Sequence, residues 1–350
     1  MTLYALLILP SANRVYADSA VELTRAELLA FDRGVLGQRL SDVGTRVVGG
    51  VPYVTFEAGE LSARDAAVLG NLSSVYALFE VVGEMLRPVE LKRLDRFDDD
   101  LITIQKYQGK TNEQFTKLLL NVTLLASGFA AEMLERRFRV FDPLCGRGTT
   151  LNQALMYGFD AAGVDRDQKD FEAYAAFIQT WLKRKRLKHK AEFGPVRRER
   201  QVVGKRLRVE LAADRDDYKA GATQLLDVVN VDTMRSAEFF KDGSFDLVVT
   251  DAPYGVQHGS RTAGKGLVRS PEDLLAEAAP VWARLLRAGG AMGVAWNTFV
   301  AKRELAASLL ADAGLEVVED EPYLSFRHRV DQAIMRDIVV ARKPGERKPG

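Results

Sequence analysis

The clearest structural signal in this chain is a glycine-rich turn that reads Val140-Phe141-Asp142-Pro143-Leu144-Cys145-Gly146-Arg147-Gly148. An apolar run ends at Asp142, and a segment with helical spacing begins directly after Gly148. Such a turn lets the backbone approach a ligand closely, and the helix that follows offers unpaired amide groups. The pattern predicts a strand, a ligand-binding loop and a helix in an open α/β sheet.

A second turn follows another apolar run and reads Asp251-Ala252-Pro253-Tyr254-Gly255. Asp251, like Asp142, closes its predicted strand. The carboxyl ends of neighbouring parallel strands lie at the same edge of a sheet, where open α/β sheets bind ligands. We therefore expect the two motifs to border one crevice.

Strand and helix patterns alternate around these motifs, which predicts the α/β fold class with a Rossmann-like, doubly wound parallel sheet. The last strand is expected to insert antiparallel. The seven predicted strands are residues 140–142, 160–165, 226–230, 245–250, 291–296, 315–318 and 334–341.

The chain divides into two parts by pattern. Residues 1–105 alternate short strands and helices and predict a small N-terminal α+β module, and the charged segment 93–100 resembles a linker. Residues 106–350 are assigned to the domain with the larger sheet, which carries a basic insertion at about 183–221.

The bulk composition indicates a globular protein with 47% hydrophobic residues and a formal net charge of +1. Any attraction for polyanions must therefore come from local clustering. One cysteine and a start that lacks a leader pattern predict a cytoplasmic location. The longest uncharged stretch, residues 118–131, is shorter than the roughly 20 apolar residues of a spanning helix, so no membrane segment is expected.

The glycine turn favours a cationic cofactor. Thr149 and Thr150 stand where a phosphate-binding loop needs lysine, which argues against nucleoside triphosphate hydrolysis. The Asp142 carboxylate would repel phosphate but could pair with the amino group of a methionine. S-adenosylmethionine meets both conditions, and no metal is assigned.

Two further acids are candidates for this cofactor site. Asp165 ends the second strand, where an acidic residue binds ribose hydroxyls, although it could instead cap the helix that begins at Gln168. Asp232 follows the third strand and could accept from the adenine amino group, or be an exposed loop residue. The predicted cofactor-binding residues are Asp142, Cys145, Gly146, Gly148, Thr149, Asp165 and Asp232.

The second motif suits methylation of an exocyclic nitrogen on a nucleobase. Such an amine is a poor nucleophile because its lone pair is delocalised, so acceptors aimed at its hydrogens favour the pyramidal form. The Asp251 carboxylate and the Ala252 carbonyl supply acceptors, Pro253 stiffens the turn, and Tyr254 offers a face for the extruded base. Methylation of a pyrimidine carbon would need a cysteine nucleophile, and the one cysteine lies in the glycine turn.

From Tyr107 to Arg342 the chain resembles the class I methyltransferases that make N2-methylguanosine at the tenth position of tRNA in archaea and eukaryotes. Residues 107–111 are similar to that family's Tyr-x-Gly-Pro-Thr segment, 142–149 to its glycine loop, 251–264 to its Asp-Pro-Pro-Tyr-Gly stretch, and 329–341 to its closing strand. Ala252 and Lys110 depart from the pattern because each stands where the family has proline.

The resemblance implies a class I methyltransferase sheet, S-adenosylmethionine as cofactor and tRNA as substrate. Family members also carry a ferredoxin-like region and an RNA-binding THUMP domain, so the resemblance implies that the module in residues 1–105 is a shortened or degenerate version. A small zinc-binding activator subunit serves the eukaryotic members and is a candidate partner here.

The chain is nearly neutral overall, but its basic side chains are concentrated in the insertion and in the loop after Gly255. We expect these side chains to bind the phosphates of a nucleic acid. A solvated insertion and a mobile surface loop are the alternatives. The predicted contacts are Lys183, Arg184, Lys185, Arg186, Arg197, Arg198, Arg261 and Lys265.

We favour RNA over DNA because a small α+β module is better suited to recognising the shape of an RNA than to reading base edges in a DNA groove. The alternatives are a DNA adenine-N6 or cytosine-N4 methyltransferase with the same amine-binding motif, and a nucleic-acid-binding protein that has the fold without turnover.

Overall fold

The computed structural model describes residues 1–11, 14–252 and 270–345, which form two sheets with helices packed against them. In this part of the chain no helix combines the length and apolar character needed to cross a bilayer.

The first sheet is antiparallel, with the strand order β2-β3-β1-β4-β5. Its elements are β1 (Thr2–Ile8), α1 (Arg14–Phe31), β2 (Ser41–Val48), β3 (Val51–Ala58), α2 (Ala63–Leu69), β4 (Val75–Val82) and β5 (Met85–Val89). The first four strands and their two helices have the βαββαβ connectivity of a ferredoxin-like unit. This agrees with the α+β pattern expected there, and the boundary at residue 105 stays a prediction.

The second sheet contains the motif strands. Its helices are α3 (Asp100–Thr103), α4 (Glu113–Ala126), α5 (Thr149–Met156), α6 (Gln168–Arg184), α7 (Arg215–Lys219), α8 (Pro271–Leu285) and α9 (Arg303–Asp312). Its strands are β6 (Arg139–Asp142), β7 (Asp160–Asp165), β8 (His189–Arg198), β9 (Gln201–Leu211), β10 (Gln224–Asn230), β11 (Phe245–Asp251), β12 (Leu286–Asn297), β13 (Glu316–Val317), β14 (His328–Arg329) and β15 (Met335–Arg342).

The seven predicted strands are present in the order β10-β7-β6-β11-β12-β15-β13. Neighbours from β10 to β12 are parallel, and β15 is antiparallel to β12, as predicted. The α/β, Rossmann-like fold class is therefore correct. The strand order reverses between β6 and β11, which makes the gap beyond their carboxyl ends the ligand position of this fold.

Three strands go beyond the predicted seven. β14 pairs with β15, and the basic insertion forms the antiparallel hairpin β8–β9, which extends the sheet from the edge of β10. Leu207, Val209 and Leu211 are fully buried along β9. Because their alternation gives the hairpin an apolar face, the insertion is part of the folded sheet.

Helix α4 joins the two sheets. The buried carboxylate of Glu27 on α1 accepts hydrogen bonds from the Ser73 backbone amide at 3.0 Å and from the Asn121 side chain on α4 at 2.7 Å. Burial raises the pKa of Glu27. Buried apolar residues from both sheets and from α4 form one continuous core.

Candidate active site

The two motifs meet at the reversal of strand order. β6 and β11 pair in parallel, with Val140 opposite Leu247 and Phe141 opposite Val248, so Asp142 and Asp251 end adjacent strands at the same edge. Both residues line a cavity of about 270 Å³. The expectation that the two strands end at one crevice is confirmed.

The glycine turn requires backbone conformations that only glycine adopts readily. Gly146 and Gly148 have φ of 48° and 78°. A Cβ on Gly148 would lie 2.3 Å from the Tyr174 ring, whereas a Cβ on Gly146 would meet nothing within 4 Å. Gly148 is therefore required both by backbone conformation and by the packing of α6 against the first turn of α5.

Asp142 is a buried carboxylate in the cavity wall, with 3% of its surface exposed. Burial raises its pKa to about 7, and the nearby Asp165 contributes, although the Leu144 amide donates to Oδ1 at 3.1 Å. A cationic ligand would offset the energetic cost of burying this carboxylate in its ionised form, and an anionic ligand would increase that cost. The wall therefore fits the ammonium of S-adenosylmethionine.

Asp165 holds the glycine turn from the next strand. Its Oδ2 accepts from the Gly146 amide and its Oδ1 from the Asp167 amide, both at 2.7 Å. Burial raises the pKa of Asp165. Asp167 is the residue that caps α6, by accepting from the Lys169 amide, so the alternative role of Asp165 as that cap is wrong.

Two other predicted cofactor residues have local roles. Asp232 caps a short 3₁₀ helix, Thr233–Glu238, by accepting from the Met234 amide at 3.0 Å. Cys145 is buried beside Gly163, and burial raises the pKa of its thiol. The described residues around the cavity include Cys145, Gly146 and Thr149 but not Gly148, Asp165 or Asp232, and their cofactor roles stay predictions.

The catalytic motif is only partly within the described residues. Ala252 lines the cavity, is 6% exposed, and donates its backbone N–H to the Ala295 carbonyl at 3.1 Å. The predicted residues Pro253, Tyr254, Arg261 and Lys265 lie outside the described residues.

Residues 107–111 form one side of the cavity, and no site role was predicted for them. The Tyr107 hydroxyl lies 3.0 Å from the Thr149 hydroxyl, and the Arg147 guanidinium stacks over the Tyr107 ring at 4.8 Å. Thr111 donates its hydroxyl to Asp251 at 2.7 Å. The resemblance of this segment to the family motif was the available sequence signal.

Arg336 is a second site residue that sequence reasoning missed. Its guanidinium approaches the Asp251 carboxylate at 3.4 Å from β15. The two residues are 85 positions apart, and the resemblance of residues 329–341 to the family's closing strand gives Arg336 no site role. Only the antiparallel insertion of β15 beside β12 brings them together.

The six predicted nucleic-acid contacts that lie within the described residues are divided between two opposite edges of the sheet. Lys205 on β9 pairs with Asn230, the last residue of β10, so the hairpin extends about 13 Å beyond the carboxyl edge. Arg197 and Arg198 are exposed near its turn, and Arg198 pairs with Glu238. These arginines lie at the edge that holds the cavity.

Lys183, Arg184, Lys185 and Arg186 lie at the other edge. α6 begins beside the cavity and runs about 25 Å back along the sheet. His189 then pairs with Leu211, next to the amino end of β10. Lys185 also forms ion pairs with Asp98 and Asp100, both at 2.7 Å.

No group of three His, Cys, Asp or Glu side chains suited to a metal occurs within the described ranges. A family model described as UPF0020, RMKL-like, methyltransferase domain matches residues 125–291, a range that contains both Asp142 and Asp251. No curated protein matches the chain.

Among solved structures, TrmN from Thermus thermophilus is 13% identical, with 98% of this chain and 100% of that chain covered and a TM-score of 0.44. A 1,6-didemethyltoxoflavin-N1-methyltransferase from Burkholderia thailandensis, solved with S-adenosylhomocysteine, is 16% identical, with coverage of 60% and 73% and a TM-score of 0.33. A TehB-like methyltransferase from Corynebacterium glutamicum is 14% identical, with coverage of 59% and 81% and a TM-score of 0.31.

The sheet, the cavity at its reversal point and the matched domain define a class I methyltransferase. The protein is an S-adenosylmethionine-dependent enzyme, with that molecule as its cofactor.

Proposed function

We propose that this enzyme methylates an exocyclic amino group of a nucleobase in RNA, and that the substrate is the N2 amine of a tRNA guanosine. The observation that carries the proposal is the meeting of Asp142 and Asp251 at the ends of adjacent strands around one cavity. One carboxylate suits a cationic cofactor, and the other suits the hydrogens of an amine.

When bound, S-adenosylmethionine supplies an electrophilic methyl group. In this proposal Asp142 holds its ammonium, the glycine turn approaches its backbone, and Asp165 binds the ribose. Asp251 and the Ala252 carbonyl would accept from the two hydrogens of the target amine. The Asp251 carboxylate would take the proton that the amine loses when the methyl group replaces it, and S-adenosylhomocysteine would be the leaving group. Tyr254 stacks the extruded base.

The choice of RNA rests on two features. Arg197 and Arg198 extend along the hairpin beyond the edge that holds the cavity, where they can contact phosphates. The ferredoxin-like unit is a small α+β module, and such a module suits recognition of RNA by its shape. The proposal also includes a boundary between two domains at about residue 105 and a cytoplasmic location for the protein. An activator subunit is a candidate partner.

The test incubates the purified protein with methyl-labelled cofactor and, separately, with total tRNA, ribosomal RNA and DNA from the same organism. Nucleoside mass spectrometry then identifies the product. Label in N2-methylguanosine of tRNA supports the proposal, and label in N6-methyladenine or N4-methylcytosine of DNA overturns it.

A second arm adds extract from cells that lack this protein, to supply an activator. Transfer to none of the three nucleic acids, with or without extract, also overturns the proposal. Asp251→Ala should abolish transfer and leave cofactor affinity nearly unchanged, whereas Asp312→Ala, an exposed acid at the end of α9, serves as the matched control.

A further inference from the structure

The Asp251 carboxylate is held from two sides by residues far from it in sequence. Thr111 donates its hydroxyl to Oδ2 at 2.7 Å, and the Arg336 guanidinium lies 3.4 Å from the same oxygen. Thr111 precedes α4, Asp251 ends β11, and Arg336 lies on β15. Three separate elements therefore meet at one carboxylate.

Both partners are themselves fixed in place. Thr111 directly precedes Asn112, whose side chain caps α4 by accepting from the Phe115 amide at 3.1 Å. Arg336 is 4% exposed, and its guanidinium lies over the Phe115 ring at 4.1 Å. Its backbone is paired on both sides, with Asn297 of β12 and His328 of β14. The carboxylate is thus held by a rigid frame.

A buried guanidinium requires an acidic partner, because desolvation of an isolated charge is costly. Thr111 and Arg336 approach the same oxygen of Asp251, so together they restrict the rotation of the carboxylate. An acceptor for a weakly nucleophilic amine needs a fixed orientation, since misplacement by about 1 Å can cost roughly 100-fold in rate.

We propose that Thr111 and Arg336 are positioning residues that keep the Asp251 carboxylate correctly oriented towards the target amine. This inference rests on the proposed function, because it assigns Asp251 the role of amine acceptor. It adds two residues to the site, neither of which need contact the substrate.

The charged or titratable groups on the elements that meet at Asp251 differ in their behaviour near neutral pH. Burial lowers the pKa of His328 to about 4, so its ring is neutral. Burial raises the pKa of Tyr16, which is also neutral. The other charged groups on α4, β11 and β15 are Glu113, Lys117, Asp246, Arg336, Asp337 and Arg342. Asp142 lines the same cavity as Asp251.

The first experiment measures kcat and KM for Arg336→Gln, Arg336→Lys, Thr111→Val and Thr111→Ser. We expect kcat to fall roughly 10- to 100-fold in Arg336→Gln and roughly tenfold in Thr111→Val, with the KM for the cofactor within about threefold of wild type. Lysine restores the charge and serine restores the hydroxyl, so these variants should recover most of the rate. Equal loss in the conservative variants, or no loss in any variant, overturns the inference.

The second experiment follows the Asp251 carboxyl carbon by NMR of protein labelled in aspartate, with Asp251→Asn to assign the signal. The assigned spectrum separates the carboxyl signal of Asp251 from that of Asp142, and the measurement needs no RNA. The chemical shift of the Asp251 carboxyl carbon, measured at one pH, should change in Arg336→Gln and Thr111→Val and return towards wild type in Arg336→Lys and Thr111→Ser. An unchanged chemical shift overturns the inference.

The two proposals can fail separately. Wild-type transfer to tRNA with unaltered kcat in all four variants removes the positioning role and leaves the function. An absence of transfer by the wild type removes the function, and the NMR measurement then still decides whether Thr111 and Arg336 hold the Asp251 carboxylate. Should Arg336→Gln not fold, as judged by circular dichroism, the Thr111 pair carries the test because Thr111 is only half-buried.

Discussion

The Tyr107 hydroxyl lies 3.0 Å from the Thr149 hydroxyl at the start of α5, which ties the segment before α4 to the glycine turn. Four positions later, Thr111 donates to Asp251. Residues 107–111 therefore connect the predicted cofactor loop with the predicted catalytic carboxylate.

Tyr107→Phe should weaken cofactor binding by roughly three- to tenfold, because it removes one hydrogen bond that holds the segment against the cavity. Calorimetry with S-adenosylhomocysteine measures the change. Tyr76→Phe, on an exposed tyrosine of the first sheet, is the matched control and should bind as wild type does. Equal affinity in both variants would mean that the Tyr107 hydroxyl does not support the cofactor loop.

Asp142 should make both stability and cofactor affinity depend on pH. Its pKa in the folded protein is about 7, above the ordinary value of 3.8, so the folded state binds a proton that the unfolded state releases. Folding stability from this residue is thus present at low pH and is lost as pH rises towards 7. Asp142→Asn should therefore raise the free energy of unfolding at pH 8, by at most about 4 kcal/mol, with little change at pH 4.

Cofactor affinity should move in the opposite direction, because a cation binds the ionised carboxylate. In the wild type it should fall as pH drops below 7, and in Asp142→Asn it should be low and nearly independent of pH between about 5.5 and 7.5. Urea unfolding and binding titrations at several pH values check the two effects. The same pH dependence in both proteins would assign it to another group.

Gly146 and Gly148 offer a matched pair for the packing of the glycine turn. Both have positive φ, but only at Gly148 would a methyl group collide with the Tyr174 ring. Gly146→Ala should cost about 1 kcal/mol through backbone strain, and Gly148→Ala roughly 1–3 kcal/mol more through overpacking. Chemical unfolding measures the difference, and equal losses would contradict the role of Tyr174.

The two groups of basic residues should differ in their effect on tRNA binding. Replacing Arg197 and Arg198 with alanine should lower the affinity for tRNA. It should also reduce the slope of log affinity against log salt concentration, by about 0.7–0.9 for each phosphate that is no longer neutralised. Replacing Lys183 and Arg184 should change both little, since they lie at the far edge of the sheet. Filter binding at several salt concentrations compares the two double variants. A larger effect at Lys183 and Arg184 would place the RNA on the other edge.

The sheet and its crevice could be predicted because both motifs end apolar strands, and parallel strands bring their carboxyl ends together. The hairpin β8–β9 was missed although Leu207, Val209 and Leu211 alternate as in a half-buried strand. The charged residues that alternate with them, Arg206, Arg208 and Glu210, are equally typical of an exposed insertion. Arg336 could not be found from the sequence, because only the pairing of β15 with β12 and β14 places it beside Asp251.

Helix α4 belongs to the cores of both sheets, and this limits how the chain can be divided. Asn121 on α4 donates to Glu27, and its side-chain carbonyl accepts from the Tyr157 hydroxyl at 2.8 Å. Removal of the first 105 residues would strip one side of α4, expose its apolar surface to water and leave the Asn121 amide without its acceptors. A shortened version for crystallography or mutagenesis should therefore retain the ferredoxin-like unit, because that unit is a structural support for α4.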